Sequence, residues 1–261
     1  MTKSATRVRK PRPIHVAPFS DYLMTPIAEM LRPHLRTESG RKPILLDIFA
    51  GQGHAFAAMV ATLGGTPIGI ELEEIYLDPP PTAREAHECV RQGNSKYLPF
   101  ADGTIDGGAT SPAYPNGCTD NFVANDKSLR NTYIHRIRQY VPDYELHPDN
   151  LGGTSARRSI GALETFLGIQ DACIAELSRV LRVGAPYVWN GKDTPKIPYL
   201  ALTWEQLERH GLRVIEHRAI EAHGLPEGEN YDVRAAVEDL TLVVKVGDPR
   251  LAAPSIPFPR P

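Results

Sequence analysis

The segment Leu45-Leu46-Asp47-Ile48-Phe49-Ala50-Gly51-Gln52-Gly53 constrains the chain more than any other. An apolar run rich in Leu and Ile from Ile44 to Phe49 predicts a buried strand. It stops at Ala50-Gly51-Gln52-Gly53, and the helix formers of 55–63 follow before Gly64-Gly65 closes the unit. Glycines in such a turn let backbone amides approach a ligand that side chains would hold off. A lone Gly-x-Gly is also the signature of any tight strand-to-helix turn. What favours a ligand is Glu71, which ends the next predicted strand, 67–70, about twenty residues on, where a carboxylate can accept both hydroxyls of a ribose.

The rest of the chain extends this unit into an α/β alternation. Apolar residues Leu23, Ile27, Met30 and Leu31 predict a helix over 22–35, and helices are also expected at 84–92, 160–181 and 203–210. Further strands are expected at 102–110 (weak, interrupted by glycine), 185–190, 212–218 and 240–246. Strands alternating with helices imply a parallel sheet with crossover connections. Between Pro115 and Ser159 the periodicity dissolves into polar residues, apart from a short helical pattern at 129–140. So long an aperiodic stretch is functional or disordered. The expected organisation is therefore a disordered basic tail at 1–13, one domain at 14–247 carrying an inserted loop at 115–159, and a Pro-rich tail at 248–261 with five prolines.

Composition narrows the function classes. The chain has 261 residues, 41% hydrophobic and 23% charged, enough for one sizeable core. A formal net charge of -2 means that any nucleic-acid surface must be a local patch. Three cysteines without Cys-x-x-Cys spacing argue against a disulfide framework and a structural zinc. With no apolar run of membrane-spanning length and no secretory stretch, a cytoplasmic location without membrane association is expected.

The turn lacks the third glycine of a pyrophosphate-binding fingerprint and reads Asp-x-Phe-x-Gly-x-Gly, which resembles motif I of the class I S-adenosylmethionine-dependent methyltransferases. That resemblance implies a Rossmann-like fold: a mainly parallel sheet with a C-terminal antiparallel strand and helices on both faces. It also implies S-adenosyl-L-methionine as cofactor, with Asp47, Gly51 and Gly53 around its methionine part, Phe49 packed beside it and Glu71 on the ribose. Gly93-Asn94-Ser95 resembles the family's next cofactor element, in which Asn94 and Ser95 would lie at the adenine.

A second motif, Thr110-Ser111-Pro112-Ala113-Tyr114, is similar to the Ser/Asp-Pro-Pro-Tyr motif of the amino-methyltransferases of DNA, which modify cytosine N4 or adenine N6. An exocyclic amine conjugated into its ring is a poor nucleophile. Acceptors that take its N–H bonds draw the nitrogen toward tetrahedral geometry and free its lone pair. Ser111 Oγ and the Pro112 carbonyl can accept in this way, and Tyr114 can stack on a base flipped out of the duplex. On this reading placement suffices and no base of the usual kind is needed. Ser111 in the first motif place tilts the expectation slightly toward cytosine N4. Ala113 replaces the second proline, and a looser loop is expected there.

Coverage is broad, but only these two motifs are specific. Leu181-Arg182-Val183-Gly184-Ala185, Asn190-Gly-Lys-Asp193 and the run from Asn230 to Lys245 also resemble elements of the family. No target-recognition domain separates Gly93 from Ser111, so the insert is the candidate for contacting DNA, through Asn116, Lys127, Arg130, Arg136 and Arg138, although its acids nearly balance that charge. His135 and His147 in it read as surface residues. The expected partner is double-stranded DNA with its target base flipped, and a restriction endonuclease or a second copy of the chain is compatible with it. An RNA base methyltransferase of the same fold and a catalytically idle DNA-binding relative are the alternatives.

Overall fold

The computed structural model describes residues 21–37, 40–77, 89–115, 141, 144–155, 160–193, 197–221 and 237–247. The expected tails and residues 116–140 of the insert, including its short helical pattern, lie outside these.

Seven strands form one sheet in the order β3-β2-β1-β4-β5-β7-β6. They are β1 (Ile44–Asp47), β2 (Thr66–Glu71), β3 (Val90–Gln92), β4 (Gly107–Thr110), β5 (Pro186–Gly191), β6 (Leu212–Glu221) and β7 (Val237–Lys245). The first five run parallel, while β7 lies antiparallel to both β5 and β6. The helices are α1 (Met24–Leu31), α2 (His54–Thr62), α3 (Leu151–Ser155), α4 (Ile160–Val180) and α5 (Tyr199–Arg209). This is the Rossmann-like α/β class with a C-terminal antiparallel strand that the sequence led us to expect.

Side chains alternate across the sheet, and the two faces bury separate cores. Leu45, Ala109, Val188, Leu240 and Leu242 pack with Ile27 and Leu31 of α1 and Phe56 and Met59 of α2. Their neighbours Leu46, Tyr187, Trp189 and Val243 point the other way, against Phe166, Ile174 and Leu177 of α4 and Leu207 of α5. β4 is built from small residues because the sheet is tight there: a Cβ on Gly108 would run into the Leu46 carbonyl oxygen and meet the Tyr187 ring 2.8 Å away.

The expected helix at 84–92 is corrected. Residues 90–92 are the edge strand β3, paired with Gly69–Glu71 of β2, and residues 84–88 lie outside the described set. The helical pattern fails because a three-residue edge strand with Arg91 and Gln92 exposed owes its form to pairing with β2, not to its own periodicity. The insert is also more structured than its composition implies: residues 144–150 lead into α3, and α3 packs on α4.

Candidate active site

The carboxyl ends of β1, β2, β4 and β5 bring both sequence motifs to one edge of the sheet, where open α/β sheets bind ligands. After β1 the chain turns through Gly51 at φ 52° and Gly53 at φ 71°, both left-handed, and Gly53 caps the N-terminus of α2. No side chain stands in this turn at those two positions, and α2 points its N-terminal end along it. Glu71 holds the turn from β2: its Oε2 accepts from the Gly51 amide at 2.9 Å and its Oε1 from the Glu73 amide at 2.8 Å. A carboxylate has about four acceptor positions, so two remain for a ribose diol.

Asp47 sits beneath the turn, almost fully buried, and accepts from Thr110 Oγ1 of β4 at 2.7 Å and from the Phe49 amide at 2.9 Å. Burial pushes its carboxyl up to about 7, against the lowering effect of those two hydrogen bonds. Glu71 is likewise pushed up to about 7, first by burial and then by the charges of Glu73 and Asp47, against the hydrogen bonds from the Glu73 and Gly51 amides. The half-buried Phe49 ring packs edge-on against Trp189, 6.2 Å between centroids.

The turn after β3 closes the other side. Ser95 Oγ donates to the Ile48 carbonyl, tying this turn to the end of β1. The Asn94 amide donates to Asp149 Oδ2 at 2.8 Å, and Lys96 Nζ meets Asp149 Oδ1 at 3.0 Å. Partial burial would raise the Asp149 carboxyl, but the Asn94 and Lys96 hydrogen bonds hold it below its usual range. The same segment is fastened at a second point, which the sequence reading missed. Glu73, itself buried, accepts from Tyr144 Oη at 2.5 Å, from the His147 amide at 3.0 Å and from Asn150 Nδ2 at 2.6 Å. Residues 144–155 are thus a strap drawn over the edge that carries Glu71 and Asn94. His147, a residue of this strap, is exposed, its Nδ1 accepting from the Asp149 amide at 3.0 Å, and the described residues contain no group of three or more His, Cys, Asp or Glu side chains able to hold a metal.

At the end of β4, Ser111 and Tyr114 meet residues from two further strands. Asn190 Nδ2 of β5 lies 3.1 Å from Ser111 Oγ, 3.3 Å from Tyr114 Oη and 2.7 Å from Glu238 Oε2 of β7. Tyr114 Oη donates to the same Glu238 oxygen at 3.2 Å. Lys192 Nζ stands 4.6 Å above the Tyr114 ring and 3.8 Å from Glu238 Oε1. Tyr114 also meets Tyr199 of α5 edge-on at 6.1 Å, and Tyr199 is fixed by a 2.5 Å hydrogen bond to Gln170. Pro112 is buried, and Ala113 packs against the core. Gly152 of α3 comes so near that a Cβ on it would sit 3.9 Å from the Ala113 methyl group. The loop therefore lies within ordinary contact distance of α3.

The structure thus gathers Asp47, Phe49, Gly51, Gly53, Glu71, Asn94 and Ser95 at one edge of the sheet and sets Ser111, Pro112 and Tyr114 beside it. Asn116, Lys127, Arg130, Arg136 and Arg138 lie outside the described residues. Asn190, Lys192 and Glu238 join the site through strand pairing; their signal in the sequence was polar residues at the tip of an apolar strand.

No family model and no curated protein matches the chain. Among solved structures, an S-adenosylmethionine-dependent methyltransferase from Methanosarcina mazei is 12% identical over 83% of this chain and 96% of its own, with a TM-score of 0.48. A geranyl diphosphate C-methyltransferase from Streptomyces coelicolor, in complex with Mg2+, geranyl diphosphate and S-adenosyl-L-homocysteine, is 15% identical over 86% of this chain and 80% of its own, TM-score 0.48. The 1,6-didemethyltoxoflavin-N1-methyltransferase of Burkholderia thailandensis is 18% identical over 87% of this chain and 80% of its own, TM-score 0.44. Likenesses at this level carry no argument about substrate or residue roles.

Proposed function

We propose that the chain transfers a methyl group from S-adenosyl-L-methionine to an exocyclic amino group of a base in DNA, cytosine N4 in preference to adenine N6. The observation that carries this reading is the juxtaposition of a glycine turn, free of side chains at Gly51 and Gly53 and flanked by Asp47 and Glu71, with the acceptors of Ser111 and Pro112 at the adjoining strand end. The cofactor supplies a methyl group activated on a sulfonium. Glu71 fits its ribose with two unused acceptor positions, and the bare turn at Gly51 and Gly53 leaves room for its backbone-sized chain.

Everything else is the work of this chain's residues. The target amine donates to Ser111 Oγ and to the Pro112 carbonyl, which localises its lone pair. For the base to stack on the Tyr114 face that Lys192 now covers, the lysine swings toward solvent, where a phosphate of the displaced strand is its natural partner. The DNA substrate itself rests on the likeness of 110–114 to the amino-methyltransferase motif.

Incubation with plasmid DNA and methyl-labelled S-adenosylmethionine, followed by mass spectrometry of the nucleosides, is expected to yield N4-methylcytosine. Ser111→Ala should slow transfer about 100-fold, the usual cost of losing one polar contact to the reacting group. Labelling of RNA alone, or no labelling of nucleic acid, would refute the proposal.

A further inference from the structure

The C-terminal strand β7 enters the sheet antiparallel, so its first residues lie at the edge where the parallel strands end. That places Glu238, the second residue of β7, against the Ser111 to Tyr114 loop. Its side chain is 14% exposed, so it lies at the wall of the site and not in bulk solvent. Three groups converge on it. Asn190 Nδ2 and Tyr114 Oη donate to Oε2, at 2.7 and 3.2 Å, and the Lys192 ammonium faces Oε1 at 3.8 Å. None of these is a core-stapling contact: all three partners belong to the reactive edge. A second anomaly lies beside it. Asn190 Oδ1 is buried and has no hydrogen-bond partner, whereas the amide nitrogen of the same side chain is surrounded by acceptors. Glu238 fixes the amide in that sense, because the alternative orientation would set Oδ1 against a carboxylate. An unpaired acceptor in such a place lacks an N–H or O–H donor.

Resting on the proposed function, we propose that Glu238 is the proton acceptor of the site, with the Tyr114 hydroxyl as relay and the Asn190 amide as the group that holds both in line. When the target nitrogen forms its bond to the methyl carbon, the electron pair of the carbon–sulfur bond leaves with sulfur. The nitrogen then carries a positive charge and one N–H too many. As the nitrogen becomes tetrahedral, the N–H that Ser111 Oγ accepted turns to Tyr114 Oη, its neighbour on the Asn190 amide; the electrons of that N–H bond return to nitrogen as its proton passes to Tyr114 Oη, while the phenol's own proton passes to Glu238 Oε2. Glu238 ends protonated and neutral, and Tyr114 is unchanged. The residue differs from Ser111 and Pro112 in kind: they activate the amine, and Glu238 discharges the product.

The test compares wild type, Glu238→Gln, Glu238→Ala, Tyr114→Phe and the double variant Tyr114→Phe/Glu238→Gln, as full chains on the DNA that the wild type methylates. Both Glu238 variants should lose about 100-fold in kcat with KM for DNA changed less than about threefold, the split expected of a proton-transfer group. Sodium formate should restore about a tenth or more of the lost kcat to Glu238→Ala, because a small carboxylate can occupy the vacated space, and none to Glu238→Gln. The double variant should be no slower than about twofold below the worse single one, since the two residues act as one relay. Calorimetric binding of S-adenosyl-L-homocysteine should match wild type in every variant, and each should still unfold in one cooperative transition above the assay temperature.

Unchanged kcat in Glu238→Gln, or a loss in Glu238→Ala that formate does not restore, would overturn the inference and leave the methyltransferase reading intact. A wild type that labels no nucleic acid would overturn both.

Discussion

Replacing Glu73 by alanine should unfasten the strap over the candidate site without unfolding the sheet. The carboxylate accepts from Tyr144 Oη, the His147 amide and Asn150 Nδ2 at 2.5, 3.0 and 2.6 Å. Hydrogen bonds to a charged group contribute about 1.5–3 kcal/mol each; with water able to reach the vacated space, we take about 1 kcal/mol apiece, or about 3 kcal/mol for the cluster. The ties of Asp149 to Asn94 and Lys96 are partly exposed and hold the strap by at most about 1 kcal/mol each, so they do not compensate. At 1.36 kcal/mol per decade, the opening equilibrium of residues 144–155 should rise on the order of 100-fold. Hydrogen–deuterium exchange read on peptides spanning the strap measures this directly: their amides should exchange about 100-fold faster, while peptides from β1, β4 and β5 remain unchanged. Glu73→Gln keeps the shape and one acceptor oxygen, and should show the smaller part of the effect. Strap exchange in Glu73→Ala indistinguishable from wild type would refute the argument that this buried carboxylate is what holds the segment.

Two further outcomes follow from the cofactor side. Gly53→Ala puts a side chain at φ 71°, a strain of about 1–2 kcal/mol; this should lower the melting temperature by about 2–8 °C and weaken S-adenosyl-L-homocysteine binding at least about tenfold by calorimetry, because the Cβ enters the bare turn. Burial raises the carboxyls of Asp47 and Glu71 to about 7 in the folded chain, from ordinary values of 3.8 and 4.5. Between those limits the folded state binds more protons than the unfolded one, so this contribution to stability is complete below about pH 4 and is lost as pH rises through 7. Urea unfolding of Asp47→Asn and Glu71→Gln between pH 5 and 8 should therefore show a flatter loss of stability with pH than the wild type; an unchanged slope would count against the burial argument.

Much of the architecture was legible in the sequence because it rests on local rules. The apolar run at 44–49, the glycines that end it and the acid that ends β2 carry their own periodicity and turn chemistry, and they fall where expected. What escaped had no local signature. β3 is a strand because β2 offers it an edge, and its three residues are too few to show a period. The return leg of the insert reads as solvated loop since its order comes from Glu73, a residue seventy-odd positions away, buried by contacts that composition cannot encode. Glu238 looked like the polar start of a strand; only the antiparallel pairing of β7 with β5 brings it to Asn190. Asn94 and Ser95 were expected at the adenine, and in the structure their side chains are engaged by Asp149 and Ile48.

The reversed direction of β7 also divides the site by origin. The glycine turn and its acids grow from the first half of the sheet, and the β6–β7 hairpin supplies Glu238 from the far end of the chain, with no element of the first half passing between β5 and the sheet edge. On the roles proposed above, the methyl donor is held by the first half of the chain and the proton is taken up by its last strand, and β5, paired with both β4 and β7, joins the two.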